Sequence, residues 1–463
     1  MSVTVRFAPS PTGYLHIGGA RTALFNYLFA KHNNGKFLLR IEDTDKDRSS
    51  IQAIDAILQG LDWLELKYDG DYVLQSNNLN RHREVVNKLL TEEKAYYCYT
   101  STEELEEMRK NAEKKGEVFR FQSEWRNKSK SQSSTVKPVV RIKSANEGES
   151  IINDLVRGEV RVKNSEIDDL VLLRSDETPT YMLAVVVDDF DMNITHVIRG
   201  EDHLTNAFRQ KIIYEACNWR VPEFAHIPLI HGADGTKMSK RHGATSVIEY
   251  KNMGYLPEAV RNYLLRLGWS YGDLEIISDS QAIELFNIEN IGKSPSRFDF
   301  DKLNYLNKNY LKNKNSSELL SLVLNFLNKK FSDDETKKIL KVINFTKEKF
   351  ETVLQLAKSC EIYCDHYLQT ISETDIKIVL DKKNLLKDIV EIIAKIEVWN
   401  HDSIKDYFNK FAFENNLKIK DFGPALRIAL TFSSASAVGI FDVIEILGKE
   451  QSLKRIENIL NKI

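Results

Sequence analysis

Residues 6–22, RFAPSPTGYLHIGGART, set two prolines and three glycines between an arginine and the start of an apolar helix. Upstream, MSVTVRFA alternates as a strand does, so the stretch reads as a strand at about 3–8, a tight turn, and a helix at about 19–33. GKFLLRIED then reads as a second buried strand, and SSIQAIDAILQGLDWL as a second helix. Strand, helix, strand, helix predicts a parallel sheet with crossover helices. In doubly wound sheets ligands bind beyond the carboxyl ends of the strands. The turn at 9–18 lies at such an end, with the unpaired N–H groups and positive dipole of a helix behind it. That is an anion site, in which Gly18 and Gly19 let a phosphate approach the backbone and His16 can donate to it. Neither a Walker A loop nor a G-x-G-x-x-G fingerprint is present. A plain strand-to-helix turn therefore remains open on these residues alone.

A second stretch bears on the choice. GADGTKMSKRHG, residues 232–243, is a glycine-flanked polar loop with Lys237, Lys240 and Arg241 within five positions. Such a run is usually a solvated face. Here it directly follows the predicted strand HIPLI, which brings it to the same sheet edge as His16. Two cationic elements converging on one edge suit a polyphosphate.

The rest of the chain sets the frame. Its 463 residues predict two to four domains, and 42% hydrophobic with 29% charged residues suits a soluble globular protein. No run of about 18 apolar residues appears, so no membrane partner is expected. The strand-like first residues leave no room for a targeting segment, so the cytoplasm is expected. The net charge of −2 neither supports nor excludes nucleic-acid binding. Cys98, Cys217, Cys360 and Cys364 are scattered, which points to reduced, packed thiols. Residues 76–175 break the α/β pattern with helical charge patterns, a polar loop and short strands, and read as an insertion. The pattern resumes with YMLAVVVDDFD, THVIRGEDHL, a helix near 204–217 and HIPLI; beyond residue 245 almost everything reads as amphipathic helix.

The residues carry a resemblance that runs through the whole chain in order. The segment from Arg6 to Gly19 resembles the His-Ile-Gly-His signature of class I aminoacyl-tRNA synthetases, and KMSKR resembles their Lys-Met-Ser-Lys-Ser loop. RFAPSPTGYLHIGGARTALFNYL, RIEDTD, VIRGEDHL and LPEAVRNYLLRLGW are similar to the glutamyl-tRNA synthetase family, and FDFDKLNYLNKNY with PALRIALTFSSASAVGIFDVIEILGKE to its bacterial type. The implied fold is a Rossmann-like α/β catalytic domain (1–75 and 176–240) with an α+β acceptor-binding insertion (76–175). A helical stem-contact domain (241–320) and an all-α anticodon-binding region (321–463) follow. The implied reaction is ligation of L-glutamate to tRNA-Glu through glutamyl-adenylate, with ATP and Mg2+, by a monomer.

By this resemblance His16, Lys237 and Lys240 are catalytic, and His16, Gly18, Gly19, Asp202, Lys240 and Arg241 hold ATP. Arg6, Ala8, Ser10, Glu42, Tyr181 and Arg199 hold glutamate: the guanidiniums its carboxylates, Glu42 its ammonium. A planar guanidinium fork does match a carboxylate bidentately. Mutual pairing of Glu42 with Arg199, and core packing of Tyr181, are the structural alternatives. Asp43 and Asp45 read as caps of the next helix rather than as metal ligands. Two positions depart from the signatures, Gly19 for the second His and Arg241 for the final Ser. Some relatives carry zinc in the insertion. Cys98 is followed here by Tyr99 and Thr100, and the next cysteine is Cys217, so no structural zinc is expected. Lys347 and Lys349 stand where the anticodon's last base would be read. The sequence leaves open tRNA-Gln as a second or alternative tRNA, and a non-catalytic RNA-binding paralogue. A glutaminyl-tRNA synthetase would end in β-barrels, whereas this end reads helical.

Overall fold

The computed structural model describes residues 2–45, 49–116, 119–121, 123–128, 136–238, 246–364, 371–434 and 436–462. They form two compact units, Met1–Tyr250 with Val260–Phe300, and Lys251–Ala259 with Asp301–Ile463.

The first unit opens with β1 (Thr4–Phe7), α1 (Ile17–His32), β2 (Lys36–Ile41), α2 (Ile51–Trp63) and β3 (Val73–Leu74). Phe37, Leu39 and Ile41 on one face and Arg40 on the other are wholly buried, so β2 reads as the interior strand of a sheet covered on both faces. A Cβ on Gly35 would lie 2.2 Å from the Val3 carbonyl oxygen; its absence lets β2 enter beside β1. Next come α3 (Leu79–Thr91), β4 (Ala95–Cys98), α4 (Thr102–Lys115), β5 (Val139–Ile142), β6 (Glu149–Asp154), β7 (Gly158–Lys163) and β8 (Val171–Leu173). Strands β4, β5 and β8 form an antiparallel sheet, while the β6–β7 hairpin packs Ile152 against Phe224 and Phe208. The chain continues through α5 (Tyr181–Asp191), β9 (His196–Gly200), α6 (Leu204–Ala216), β10 (Glu223–Ile227) and β11 (Ile230–His231).

Parallel pairing joins β1 to β2, β2 to β3, and β9 to β10. Thr195, just before β9, donates its N–H to the Thr4 carbonyl at 2.9 Å, which sets β9 along the free side of β1. The strand order is therefore β3–β2–β1–β9–β10, and the chain winds away from β1 in both directions. The crevice past the carboxyl ends of β1 and β9 is the switch point at which such sheets bind ligands.

One expected element differs. HIPLI is not a single strand: β10 ends at Ile227, Pro228 has no N–H with which to continue a ladder, and β11 pairs instead with β12 (Ser296–Arg297). The polar loop from residue 232 therefore follows β11 and not the β9–β10 pair. The unit is completed by α7 (Val247–Asn252) and α8 (Pro257–Arg266), both shared with the second unit, and by α9 (Asp279–Leu285).

The second unit is helical among its described residues: α10 (Phe300–Asn313), α11 (Ser316–Leu327), α12 (Asp333–Thr346), α13 (Val353–Glu361), α14 (Glu373–Asp381), α15 (Lys383–Lys395), α16 (His401–Glu414), α17 (Ile419–Thr431), α18 (Ile440–Leu447) and α19 (Lys449–Lys462). Side-chain caps begin several of them, as where Ser332 and Glu335 close a capping box on α12 and Asn400 accepts from Ser403 on α16. One apolar cluster, with Ile393, Phe408, Phe422, Leu426 and Ile444 at its centre, holds them together. Among the described residues no helix is long and apolar enough to cross a membrane.

Candidate active site

The site starts with the turn after β1. His16 caps α1, its Nδ1 accepting the Gly19 N–H at 3.0 Å. The imidazole proton therefore sits on Nε2, the nitrogen left to donate. A Cβ at Gly18 would approach the His16 ring to 3.3 Å, so the small residue keeps the ring in its seat. The residue is open to solvent, yet its ring is crowded by the turn. That desolvation, followed by Lys237, pulls its pKa below the usual histidine value, with Asp202 opposing. His16 is thus neutral near pH 7. Lys237 bonds Asp202 at 2.9 Å, which brings the two together beside His16. Burial would raise the Asp202 carboxyl, but the bond to Lys237, the charge of Lys237 and His203 together hold it below the usual range. Lys240 and Arg241 lie outside the described residues.

Beneath this lies a buried charge network. Arg6, near the end of β1, and Arg40 on β2 both bond Asp189 of α5: Arg6 Nε to Oδ1 at 3.0 Å, Arg40 Nη1 to the same oxygen at 2.6 Å. Arg40 also reaches Glu42 at 3.4 Å. Burial would raise the Asp189 carboxyl, but Arg40 and Arg6 hold it below the ordinary range. At Glu42 burial wins over the same two arginines and raises the carboxyl. The neighbouring Asp188, wholly buried, accepts from His82 at 2.8 Å, Gln75 at 2.8 Å and Asn78 at 3.0 Å. None of these partners was singled out from the sequence. Two adjacent carboxylates in an otherwise apolar helix could have flagged them, because buried charges must be paired.

Arg199, near the end of β9, is 7% exposed. Its Nε donates to His226 Nε2 at 3.1 Å and its Nη2 to the His203 carbonyl at 3.2 Å. Its Nη1 is buried without a hydrogen-bond partner among the described residues. Burial raises the pKa of the Tyr181 hydroxyl, Glu42 and Asp189 add to the rise, and Arg199 and Arg6 oppose it. Tyr181 is 3.5 Å from His203 Nδ1, a contact at the limit of a hydrogen bond. Glu42 and Arg199 are not paired with each other: Glu42 takes Arg40, and Arg199 takes histidine and a carbonyl. The Glu42 N–H donates to the Pro9 carbonyl at 3.0 Å, which ties the end of β2 to the loop carrying Ala8 and Ser10.

The structure thus gathers Arg6, Glu42, Tyr181 and Arg199 around one pocket of charge, and His16, Gly18, Gly19, Asp202 and Lys237 at the α1 N-terminus. Asp43 is a cap, but of another turn than expected: it accepts the Ser76 N–H at 2.8 Å, while Ser50 caps α2. Cys98 is buried against the hydroxyls of Thr100 and Ser123, which are not zinc ligands. In the helical unit, Lys347 and Lys349 donate to the carbonyls of Lys314 and Ala437.

Residues 2–305 match the family described as tRNA synthetases class I (E and Q), catalytic domain, and residues 318–460 match an anticodon binding domain. A glutamate–tRNA ligase 2 of Rickettsia felis is 52% identical over 99% of this chain and 100% of its own length. Another from Parvibaculum lavamentivorans is 48% identical over 99% of this chain and 94% of its own length. The crystal structure of a glutamate tRNA ligase from Elizabethkingia meningosepticum, in complex with its amino acid, superposes with a TM-score of 0.86 at 32% identity, covering 100% of this chain and 99% of that one.

Proposed function

This chain belongs to the class I tRNA synthetases of the E and Q type, and on that premise we propose that it joins L-glutamate to tRNA-Glu in two ATP-dependent steps. First, glutamate's α-carboxylate attacks the α-phosphorus of Mg-ATP; the bond to pyrophosphate breaks and glutamyl-adenylate forms. Then the ribose 2′-hydroxyl of the terminal adenosine of the tRNA attacks the acyl carbon, and AMP leaves. No side-chain nucleophile takes part, so the protein contributes positioning and charge stabilisation.

The observation that carries the reading is the buried Nη1 of Arg199, without a hydrogen-bond partner among the described residues, in electrostatic contact with Tyr181 and Glu42. A buried donor without an acceptor is costly, and a substrate carboxylate answers that cost. Arg199 and Arg6 take glutamate's carboxylates, Glu42 its ammonium, and Tyr181 with Ser10 and Ala8 line the pocket. His16 donates from Nε2 to the phosphates, and Gly18 and Gly19 admit them to the backbone. Lys237 leaves Asp202 for the departing pyrophosphate, with Lys240 and Arg241 acting alongside it. Residues 76–175 hold the acceptor end of the tRNA, 241–320 its inner corner, and 321–463 the anticodon loop. The enzyme works in the cytoplasm as a monomer.

The test is pyrophosphate exchange in the presence of tRNA-Glu. Arg199→Ala should weaken glutamate use by about 2–5 kcal/mol, as truncating one partner of a buried charge pair does, and leave the KM for ATP nearly unchanged. Equal losses for both substrates would overturn the assignment. Lys240→Ala should slow adenylate formation by about 10²–10³, the usual loss of one transition-state donor. Parallel acylation of tRNA-Glu and tRNA-Gln defines the tRNA range.

A further inference from the structure

The Arg199 guanidinium is held by a buried pair of residues. Its Nε rests on His226 of β10, and His226 Nδ1 lies 2.6 Å from Asp154 Oδ2, at the end of β6. Both His226 and Asp154 are buried, and their contacting side chains are wholly excluded from solvent. Asp154 is fixed in turn by backbone donors. Its Oδ1 accepts the N–H of Val156 at 3.0 Å and of Arg157 at 2.9 Å, and the His226 N–H reaches Oδ2 at 3.1 Å. Burial would raise this carboxyl, but the His226 ring bond, followed by the backbone donors of Arg157 and His226, holds it low. An ionised carboxylate is acceptor only, so Nδ1 of His226 carries the proton and Nε2 is bare. That bare nitrogen is what the Arg199 Nε–H needs. The hairpin supplying Asp154 is anchored to the same edge through Arg157, which pairs with Glu201, while Glu201 also accepts the Leu229 N–H at 2.9 Å.

We propose that Asp154 and His226 form a positioning relay that aims the Arg199 guanidinium at glutamate, and that protonation of His226 turns this aim off. The proposal rests on Arg199 binding glutamate, as set out above. A protonated Nε2 would set N–H against N–H and cation against cation, and Arg199 would have to move. Burial and Arg199 push His226 below the usual histidine value, against Asp154 and the His203 carbonyl, so the relay is intact at neutral pH and fails on the acid side. Around His226 stand Asp154 from β6, Arg199 from β9 and His203 from the turn after β9. Around Arg199 stand Tyr181, Arg6, Asp189 and Glu42. His203 and Glu42 also titrate, so the test must assign the acid limb to His226.

Two substitutions separate the contacts. In His226→Asn the amide can still donate to Asp154 but falls short of Arg199. In His226→Gln the longer side chain places a non-titrating acceptor near Arg199. Pyrophosphate exchange with the full chain and tRNA-Glu, between about pH 5 and pH 8, gives kcat and both KM values. His226→Asn should raise the KM for glutamate roughly 10-fold to 100-fold, the scale of a hydrogen bond to a charged group, with kcat and the KM for ATP within about twofold. His226→Gln should restore the KM and remove the acid limb of kcat/KM for glutamate. A merely structural histidine would lower kcat and both KM-dependent rates together, and that result would overturn the relay. An acid limb that persists in His226→Gln would overturn the switch. If Arg199→Ala itself leaves the KM for glutamate unchanged, the reading of Arg199 falls. If Arg199→Ala raises it and His226→Asn does not, only the relay falls.

Discussion

The two units treat their interiors in opposite ways. The first buries charge at the carboxyl ends of its strands, with Arg6, Arg40, Asp188, Asp189 and Arg199 all below one-tenth exposed. The interior of the second is mostly Ile, Leu, Val and Phe, with Cys360 and Cys364 among them and burial pushing the Cys364 thiol up to about 12; Arg455 is buried there too, bonded to the backbone carbonyls of Ile362, Leu430 and Cys364. Burying ions is expensive unless each is paired. A chain that does so repeatedly at one place is holding groups ready for a charged ligand, and that is where perturbed acids and bases gather. The helical unit gains cohesion from packing and leaves recognition to its exterior. Its functional residues therefore cannot be read from its core, whereas those of the first unit can.

This contrast can be broken. Asp189→Ala would leave Arg6 and Arg40 without their shared carboxylate. We expect the largest loss here, about 3–5 kcal/mol of stability together with glutamate use, measured by denaturant titration and pyrophosphate exchange. If stability falls by less than about 1 kcal/mol, the network is not what holds this edge. In the helical unit Leu426→Ala, at a wholly buried position, should cost about 3 kcal/mol through the cavity it leaves, with the KM for glutamate unchanged.

A smaller effect comes from acid. His16, His196, His203 and His226, all in the first unit, have pKa values lowered chiefly by burial. Unfolded histidines take up protons near pH 6.5, folded ones only below that. The unfolded state thus binds more protons in this window, so the stability they give is full above about pH 6.5 and is lost as pH falls through the folded values. The helical unit carries only His366 and His401 in its sequence. Hydrogen exchange from pH 7.5 to about 5.5 should show protection falling in the first unit ahead of the second; the reverse order would contradict the contrast. The smallest effect is expected for Lys347→Ala. Its bond to the Lys314 carbonyl is worth about 0.5–1.5 kcal/mol. A rise in the KM for tRNA beyond that small loss would assign Lys347 to the anticodon after all.

What the sequence made legible follows from range. The Pro/Gly turn, His16 just ahead of a helix, and the arginines at strand ends are local signals, and the structure brings those residues to the switch point of the sheet. Partners joined only by topology carry no such signal. Asp189 meets Arg40 across 149 positions and Asp154 meets His226 across 72, and no local periodicity links either pair. YMLAVVVDDFD shows the second limit: a β-branched run fits strand or buried helix until its neighbours choose, and here α5 packs on α6. The break at Pro228 shows the third, for one proline divided HIPLI between two sheets.

The two histidines at the ends of the site hold their protons on opposite nitrogens. His16 accepts at Nδ1 from Gly19 and is protonated at Nε2; His226 donates from Nδ1 to Asp154 and is bare at Nε2. Those tautomers give distinct nitrogen chemical shifts, so an isotope-labelled sample carries a built-in reporter at each end. Nucleotide should move the resonances of the first ring and glutamate those of the second, making the order of substrate arrival visible before any bond is made.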